Sequence, residues 1–167
     1  MSATTRPGGT RNETTIEADP SMPTVKLVRD FDAPVELVFR AYTEPDLFRR
    51  WIGPRSHDMQ IDTFDCTTGG RYRYGADEDQ GSFWFYGSFH EVRPNERIVQ
   101  TFTYEGWPDG VALETATFED LGGGRSRVTS VSVCDRIEDR DAMVASGMES
   151  GIVEGFEQLD ELLETLA

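Results

Sequence analysis

The sequence contains few basic residues. Its 167 residues include 16 lysines and arginines but 31 aspartates and glutamates, and the formal net charge is -15 at pH 7. Proteins bind nucleic acid and anionic membrane surfaces through clustered Lys and Arg. We therefore predict that this chain binds neither nucleic acid nor a membrane. Much of the negative charge lies near the C-terminus, where it fits the solvated face of a helix.

Cysteine, histidine and long apolar runs are equally scarce. Cys66 and Cys134 lie far apart and in no metal-type spacing, which favours a reducing compartment and a cytoplasmic location over a disulfide framework. His57 and His90 are the only histidines, and neither stands at a recognisable spacing from a carboxylate. We therefore predict no metal site and no cofactor. No run of about 18 apolar residues is present, so no membrane span is predicted.

The length and composition fit one globular domain. Apolar residues make up 37% and aromatic residues 11% of the chain, which is enough to bury a core in a protein of this size. Residues 1–22 are rich in Thr, Gly, Pro and Ser, and we predict a flexible tail there with a short strand near residues 15–18. The domain itself is predicted to span residues 23–167.

The predicted domain begins with a strand that is followed by two short helices. The alternating segment VKLVRDF, which starts at Val25, is typical of a strand. Asp32 is placed to cap a first helix that has Pro34 in its first turn. Thr43 is placed to cap a second short helix, which has Pro45 in its first turn.

From His57 onward the apolar pattern has a period of two residues. Turn-forming residues interrupt it at hairpin distances, which predicts an antiparallel meander with one buried face. The predicted strands cover residues 57–66, 70–76, 81–92, 96–105, 111–120 and 125–134.

A long helix is predicted from Asp141 to Leu166, because apolar residues there recur at spacings of three and four. Gly147, Gly151 and Gly155 lie one helical turn apart within it. Each glycine costs a helix about 1 kcal/mol relative to alanine, so the row needs a reason. Either the sheet packs closely against the row, or the missing side chains leave room for a ligand. Both explanations remain open from the sequence.

Five stretches in order resemble the START-like superfamily, in the branch named after the activator of Hsp90 ATPase and alongside polyketide cyclase and dehydrase relatives. The resemblance implies an α+β helix-grip fold, in which a curved antiparallel sheet of six to seven strands wraps around a long C-terminal helix. It also implies a cavity that takes a hydrophobic or amphipathic small molecule. The stretches are VRDFDAPVELVFRAYTEPDLFRRWIGP, DTFDCTTGGRYRY, FWFYGSFHEVRPNERIVQTFTY, TATFEDLGGGRSRVT and SGMESGIVEGFEQLDELL.

Two positions depart from the family pattern. The family often has tryptophan where this chain has Ile152, and a larger small residue, often serine, where it has Gly155. Both changes would remove volume from the helix face that meets the cavity.

Strand parity and the family pattern together predict the wall of a ligand pocket. Trp51 is either an aromatic at its mouth or a core anchor beneath the helix. The proposed wall consists of Trp51, Phe85, Gln100, Phe102, Glu114, Ser130, Met148, Ile152 and Phe156.

Glu114 is the weak candidate for a catalytic residue. If its side chain points inward, burial would raise its pKa and suit it to acid or base chemistry, and the ligand should carry a donor or a positive group. A shift of one residue in register would instead expose Glu114 and bury Leu113.

Three functions follow from the resemblance. We expect a small-molecule binding protein rather than an enzyme. The first alternative is a cyclase-like or dehydratase-like enzyme that acts on a polyketide or aromatic substrate with Glu114 as the acid or base. The second is a co-chaperone-like interaction module.

A homodimer is a further expectation. Trp84 and Tyr86 alternate with Phe85 on one predicted strand, so aromatic side chains occupy both of its faces. The outer face would then be covered, and a second copy of the chain could cover it.

Overall fold

The computed structural model describes residues 3–5, 12–79 and 81–167 of the chain. Nine strands and four helices occur in these residues. The strands are β1 (Ala3–Thr5), β2 (Thr15–Ala18), β3 (Thr24–Phe31), β4 (Gln60–Phe64), β5 (Arg71–Glu78), β6 (Gly81–Arg93), β7 (Arg97–Tyr104), β8 (Ala112–Gly122) and β9 (Arg125–Val133). The helices are α1 (Val35–Thr43), α2 (Pro45–Phe48), α3 (Ile137–Ala145) and α4 (Met148–Leu166).

The strands form one curved antiparallel sheet that does not close, in the order β1-β2-β3-β9-β8-β7-β6-β5-β4. Strands β4 to β9 make the meander that the period-two pattern predicts, and β9 then pairs with β3. With two short helices after β3 and a C-terminal helix, the predicted α+β helix-grip fold is confirmed. The strand count of six to seven was too low, because β1 and β2 extend the sheet beyond β3.

The N-terminal segment contributes to this extension. We predicted a flexible tail over residues 1–22, and residues 1, 2 and 6–11 of it lie outside the described part of the chain. Thr15–Ala18 forms the short strand that the sequence indicated, and it pairs with β3 from Thr15 opposite Val28 to Ala18 opposite Val25. The sheet therefore includes residues that precede the predicted domain boundary.

The two short helices exist, but neither has the predicted side-chain cap. Helix α1 begins after Pro34 and α2 after Glu44, and no side chain caps either one. Asp32 instead accepts a hydrogen bond from Arg125 Nε at 2.9 Å. The Thr43 hydroxyl donates to the Phe39 carbonyl within α1. Both residues are engaged elsewhere, so the helices depend on their buried apolar faces.

The single long helix predicted from Asp141 is wrong, because the structure has two helices there. Helix α3 ends at Ala145, and α4 begins at Met148. Between them Gly147 has a φ of 85°, a left-handed conformation that side chains disfavour. Gly147 therefore breaks the helix and does not belong to a glycine row on its face.

The two halves of helix α4 have different surroundings. Its C-terminal half buries Leu159, Leu162 and Leu163 in the main core. Phe156, at the middle of the helix, meets Phe31 of β3 edge to face with ring centroids 5.7 Å apart. The N-terminal half, from Met148 to Gly155, faces a cavity instead of a filled core.

Candidate functional site

A cavity of about 740 Å³ lies between the sheet, the segment after α2 (residues 49–59), and helices α3 and α4. Pockets of roughly 300–1,000 Å³ are typical of small-molecule sites. All nine residues of the predicted wall lie along it: Trp51, Phe85, Gln100, Phe102, Glu114, Ser130, Met148, Ile152 and Phe156. That these side chains bind a ligand stays a prediction, but the fold does bring them together.

The two remaining glycines of the predicted row have different roles. A methyl group at Gly155 would lie 3.1 Å from the Trp51 carbonyl oxygen and 3.6 Å from the Gly53 backbone nitrogen. A methyl group at Gly151 would meet only Pro54 Cδ, at 3.8 Å. Close packing therefore explains Gly155, although its partner is the segment after α2 and not the sheet. Open space explains Gly151.

Glu114 points into the cavity from near the start of β8. It stands opposite Gln100 of β7 and Ser132 of β9, while its neighbour Leu113 is 46% exposed on the other face. The alternative register, with Leu113 inside, is therefore wrong. The Ser132 hydroxyl donates a hydrogen bond of 3.3 Å to Glu114 Oε1.

Burial raises the pKa of Glu114 from 4.5 to about 7, and the hydrogen bond from Ser132 opposes part of that rise. The side chain is half-buried, because the cavity leaves some of its surface open while protein surrounds it on most sides. Near neutral pH it can therefore hold or release a proton.

Three tyrosines that are not part of the predicted wall also line the cavity. Burial raises the pKa of Tyr42, Tyr72 and Tyr74, and the carboxylate of Glu114 raises each of them further. They are consequently neutral hydroxyl groups at physiological pH. The Tyr72 hydroxyl donates to the Thr101 carbonyl at 2.5 Å. The parity rule used for β7 to β9 would have found Tyr72 and Tyr74 if applied to RYRY.

Trp51 is the core anchor that the sequence allowed and also lines the cavity, whereas a place at the cavity mouth stays a prediction. It is buried, and its indole Nε1 donates to the Ala41 carbonyl at 2.9 Å, which anchors the segment after α2 to α1. Its ring stacks on Phe156 with centroids 6.1 Å apart and also forms part of the cavity wall. A core anchor and a wall residue are therefore the same side chain.

Neither histidine lines the described cavity, although His57 lies behind one of its wall residues, Phe83. His57 Nδ1 is hydrogen-bonded to Glu78 Oε1, and its ring contacts Phe83 edge to face. Sequence spacing does not predict this pair, because the two residues are 21 positions apart and meet only through the pairing of β4 with β5. His90 is exposed on β6.

The outer face of β6 is partly covered by the chain itself. The Arg73 guanidinium lies 4.2 Å from the centre of the Trp84 ring, and Trp84 Nε1 donates to Asp77 at 2.8 Å. Tyr86 remains 39% exposed. A second copy of the chain on this face stays a prediction.

In the described part of the chain, no helix is both long and apolar enough to span a membrane.

Comparison with known proteins gives one family. The family model described as "Activator of Hsp90 ATPase homolog 1-like protein" matches residues 32–164. No match was found among the curated proteins.

Solved structures share the fold over nearly the whole chain. A protein from Arthrobacter aurescens has a TM-score of 0.80 and 26% identity, over 90% of this chain and 91% of its own. A protein from Rhodobacter sphaeroides has a TM-score of 0.80 and 25% identity, over 91% of this chain and 99% of its own. A protein from the dynemicin biosynthetic locus, with a TM-score of 0.64 and 22% identity, covers 86% of this chain and 48% of its own, and this likeness shows the fold alone.

Proposed function

The chain belongs to the Activator of Hsp90 ATPase homolog 1-like family, and from this premise we propose that it binds a hydrophobic or amphipathic small molecule between the sheet and α4. The observation that carries the proposal is the cavity of about 740 Å³ beside the N-terminal half of α4. Aromatic and aliphatic side chains form most of its wall, and a few polar groups converge on it from β7, β8 and β9. This combination is typical of small-molecule sites.

The polar groups supply orientation within an apolar surface. Glu114, Gln100 and Ser130 lie on adjacent strands, so their side chains face one region of the wall. Phe85 and Phe102 stack with centroids 5.1 Å apart and offer a flat apolar surface beside it. A ligand with an apolar body and one polar end would match both parts.

Substitution of Gly151 tests the proposed binding function and leaves the packed core unchanged. We expect the wild-type protein to retain compounds from a mixed hydrophobic library in native mass spectrometry. Gly151→Phe should bind the retained compounds at least tenfold more weakly, because its ring would enter open space in the cavity. The measurement is the Kd of each retained compound for both proteins.

Gly151→Ala is the matched control. Its methyl group fits at 3.8 Å from Pro54 Cδ, so binding should persist. Stability should rise by roughly 0.5–1 kcal/mol, because alanine favours a helix more than glycine does. Retention of no compound by the wild-type protein would contradict the proposal, as would unchanged affinity in Gly151→Phe.

An enzyme of the cyclase or dehydratase class is the second candidate, and the environment of Glu114 favours it. A carboxyl group with a pKa of about 7 in a largely apolar cavity is suited to proton transfer near neutral pH. With aromatic polyketide-like substrates, turnover would show an inflection near pH 7, and Glu114→Gln would lower the rate by roughly 100-fold or more. An unchanged rate in Glu114→Gln would refute a catalytic role for this residue.

A further inference from the structure

The described wall of the cavity carries charge of one sign. Glu114, Asp135 and Asp139 line it, and no lysine, arginine or histidine does so among the described residues. Asp139 is paired with Arg136 at 3.0 Å, whereas Glu114 has only the 3.3 Å hydrogen bond from Ser132 among the hydrogen bonds of the described chain. Among the residues that the structure describes, Glu114 therefore lacks a cationic partner.

The nearby arginines are committed to other partners. Arg29 forms a bidentate pair with Asp160, and its guanidinium lies 4.9 Å from the centre of the Phe31 ring. Arg140 is buried and donates to the carbonyl oxygens of Met22 and Thr24. Neither side chain lines the cavity. No residue in the described ranges therefore supplies a positive charge beside Glu114, which leaves that role to a ligand.

The rest of the wall also suits a cation with an apolar body. Aromatic rings attract cations through their faces, and this attraction strengthens where water is excluded. The desolvation of Glu114 is a cost that the folded protein bears before any ligand arrives, so an incoming cation regains part of it. A carboxylate ligand would instead meet acidic residues in a wall to which no described lysine, arginine or histidine contributes. The aromatic residues of the wall include Tyr42, Trp51, Tyr74, Phe85 and Phe102.

We propose that the cavity selects hydrophobic ligands that carry a protonated amine, with Glu114 as the counter-ion. This inference rests on the proposed binding function and narrows it to one ligand class. Alcohols of the same shape bind more weakly, because they gain a hydrogen bond without the ion pair. Carboxylic acids of the same shape bind most weakly, because their charge has the same sign as the wall.

The affinity for an amine should depend on pH, because Glu114 titrates between pH 6 and 8. Burial raises the pKa of three tyrosines and one cysteine that interact electrostatically with Glu114, so these hydroxyls and this thiol remain neutral in this range. Glu114 becomes ionised as pH rises through about 7, and an alkyl amine stays protonated. Affinity for the amine should therefore rise about tenfold from pH 6 to pH 8. The four groups are Tyr42 from α1, Tyr72 and Tyr74 from β5, and Cys134 after β9.

Six small-molecule probes test the proposal, three on a naphthalene scaffold and three on an eight-carbon alkyl scaffold. Naphthylmethylamine, naphthylmethanol and naphthylacetate differ only at the polar end, and octylamine, octanol and octanoate repeat the comparison without an aromatic ring. The Kd of each is measured by calorimetry or fluorescence at pH 6, 7 and 8. We expect the amine to bind at least tenfold tighter than the carboxylate at pH 8, with the alcohol between them.

Glu114→Gln separates the counter-ion from the shape of the cavity. In this variant the amine should lose its advantage over the alcohol, and the pH dependence between 6 and 8 should disappear. Glu119→Gln, on the exposed part of β8 and outside the cavity wall, should leave the advantage in place. If the alcohol or the carboxylate binds the wild-type protein as tightly as the amine, the inference is overturned while the binding function stands. If none of the probes binds on either scaffold, the binding function itself is contradicted and the inference with it.

Discussion

Asp160→Ala should lower the free energy of unfolding by about 3 kcal/mol, which is the largest single effect that we expect. Arg29 is 3% exposed, and its Nη1 and Nη2 donate to the two Asp160 carboxylate oxygens at 3.0 and 2.5 Å. Without Asp160 the guanidinium would stay buried between Phe31 and Phe156 with its charge uncompensated. Urea denaturation at pH 7 measures the loss.

The large loss would not mean that the ion pair itself is a strong stabilising interaction. Burial raises the pKa of Asp160, and Arg29 only opposes that rise, so desolvation offsets much of the attraction. The double variant Arg29→Met with Asp160→Leu should accordingly recover most of the stability. A single-variant loss below about 1 kcal/mol would show that water reaches the guanidinium and solvates it.

Glu161, the residue after Asp160 on α4, supplies the matched control. Glu161 forms a bidentate pair with Arg55 at 2.6 and 3.1 Å, but both side chains are well exposed. Glu161→Ala should therefore cost less than about 1 kcal/mol. The contrast between adjacent positions on α4 separates burial from ion-pair geometry.

Glu114→Gln should raise the free energy of unfolding by about 2 kcal/mol at pH 8.5 and by little at pH 4.5. A rise in pKa from 4.5 to about 7 corresponds to roughly 3 kcal/mol, and solvation of the half-buried carboxylate through the cavity reduces this to about 2 kcal/mol. The folded-state pKa of Glu114 is raised, so the folded protein favours the protonated form. The stability contribution of this carboxyl group is present below its unfolded pKa of about 4.5 and is lost as pH rises to about 7. Above pH 7 the wild-type protein bears the full penalty and the glutamine variant does not.

Thermal unfolding across pH 4.5 to 8.5 checks this prediction. The gain of about 2 kcal/mol corresponds to roughly 4–8 °C in Tm for a protein of this length. Glu119→Gln, on the exposed part of β8, should change stability by less than about 0.5 kcal/mol over the same range. A destabilised Glu114→Gln at pH 8.5 would indicate that the carboxylate already has a favourable partner in the ligand-free protein.

Much of the fold and the site was predictable because the relevant patterns are local. Alternation along a strand assigns side chains to faces, so the parity of β7, β8 and β9 placed Gln100, Glu114 and Ser130 on one surface. Turn residues at hairpin distances gave the meander from β4 to β9. The spacing of apolar residues indicated the C-terminal helix, and the resemblance to a family implied that the sheet wraps around it. All nine proposed wall residues lie along the cavity.

The order of the strands and the alternation of their faces follow from local patterns in the sequence, whereas the direction of Glu114 was settled only by the register of β8 against β7 and β9. The tertiary structure alone decided that Gly147 breaks the final helix, that Gly155 packs on the Trp51 carbonyl, and that Gly151 faces open space. It also decided that Arg29 meets Asp160, 131 residues later in the chain. The physical reason is that a side chain's face depends on its own strand or helix. Its partner across the interior depends on the curvature of the whole sheet and on where distant segments cross it.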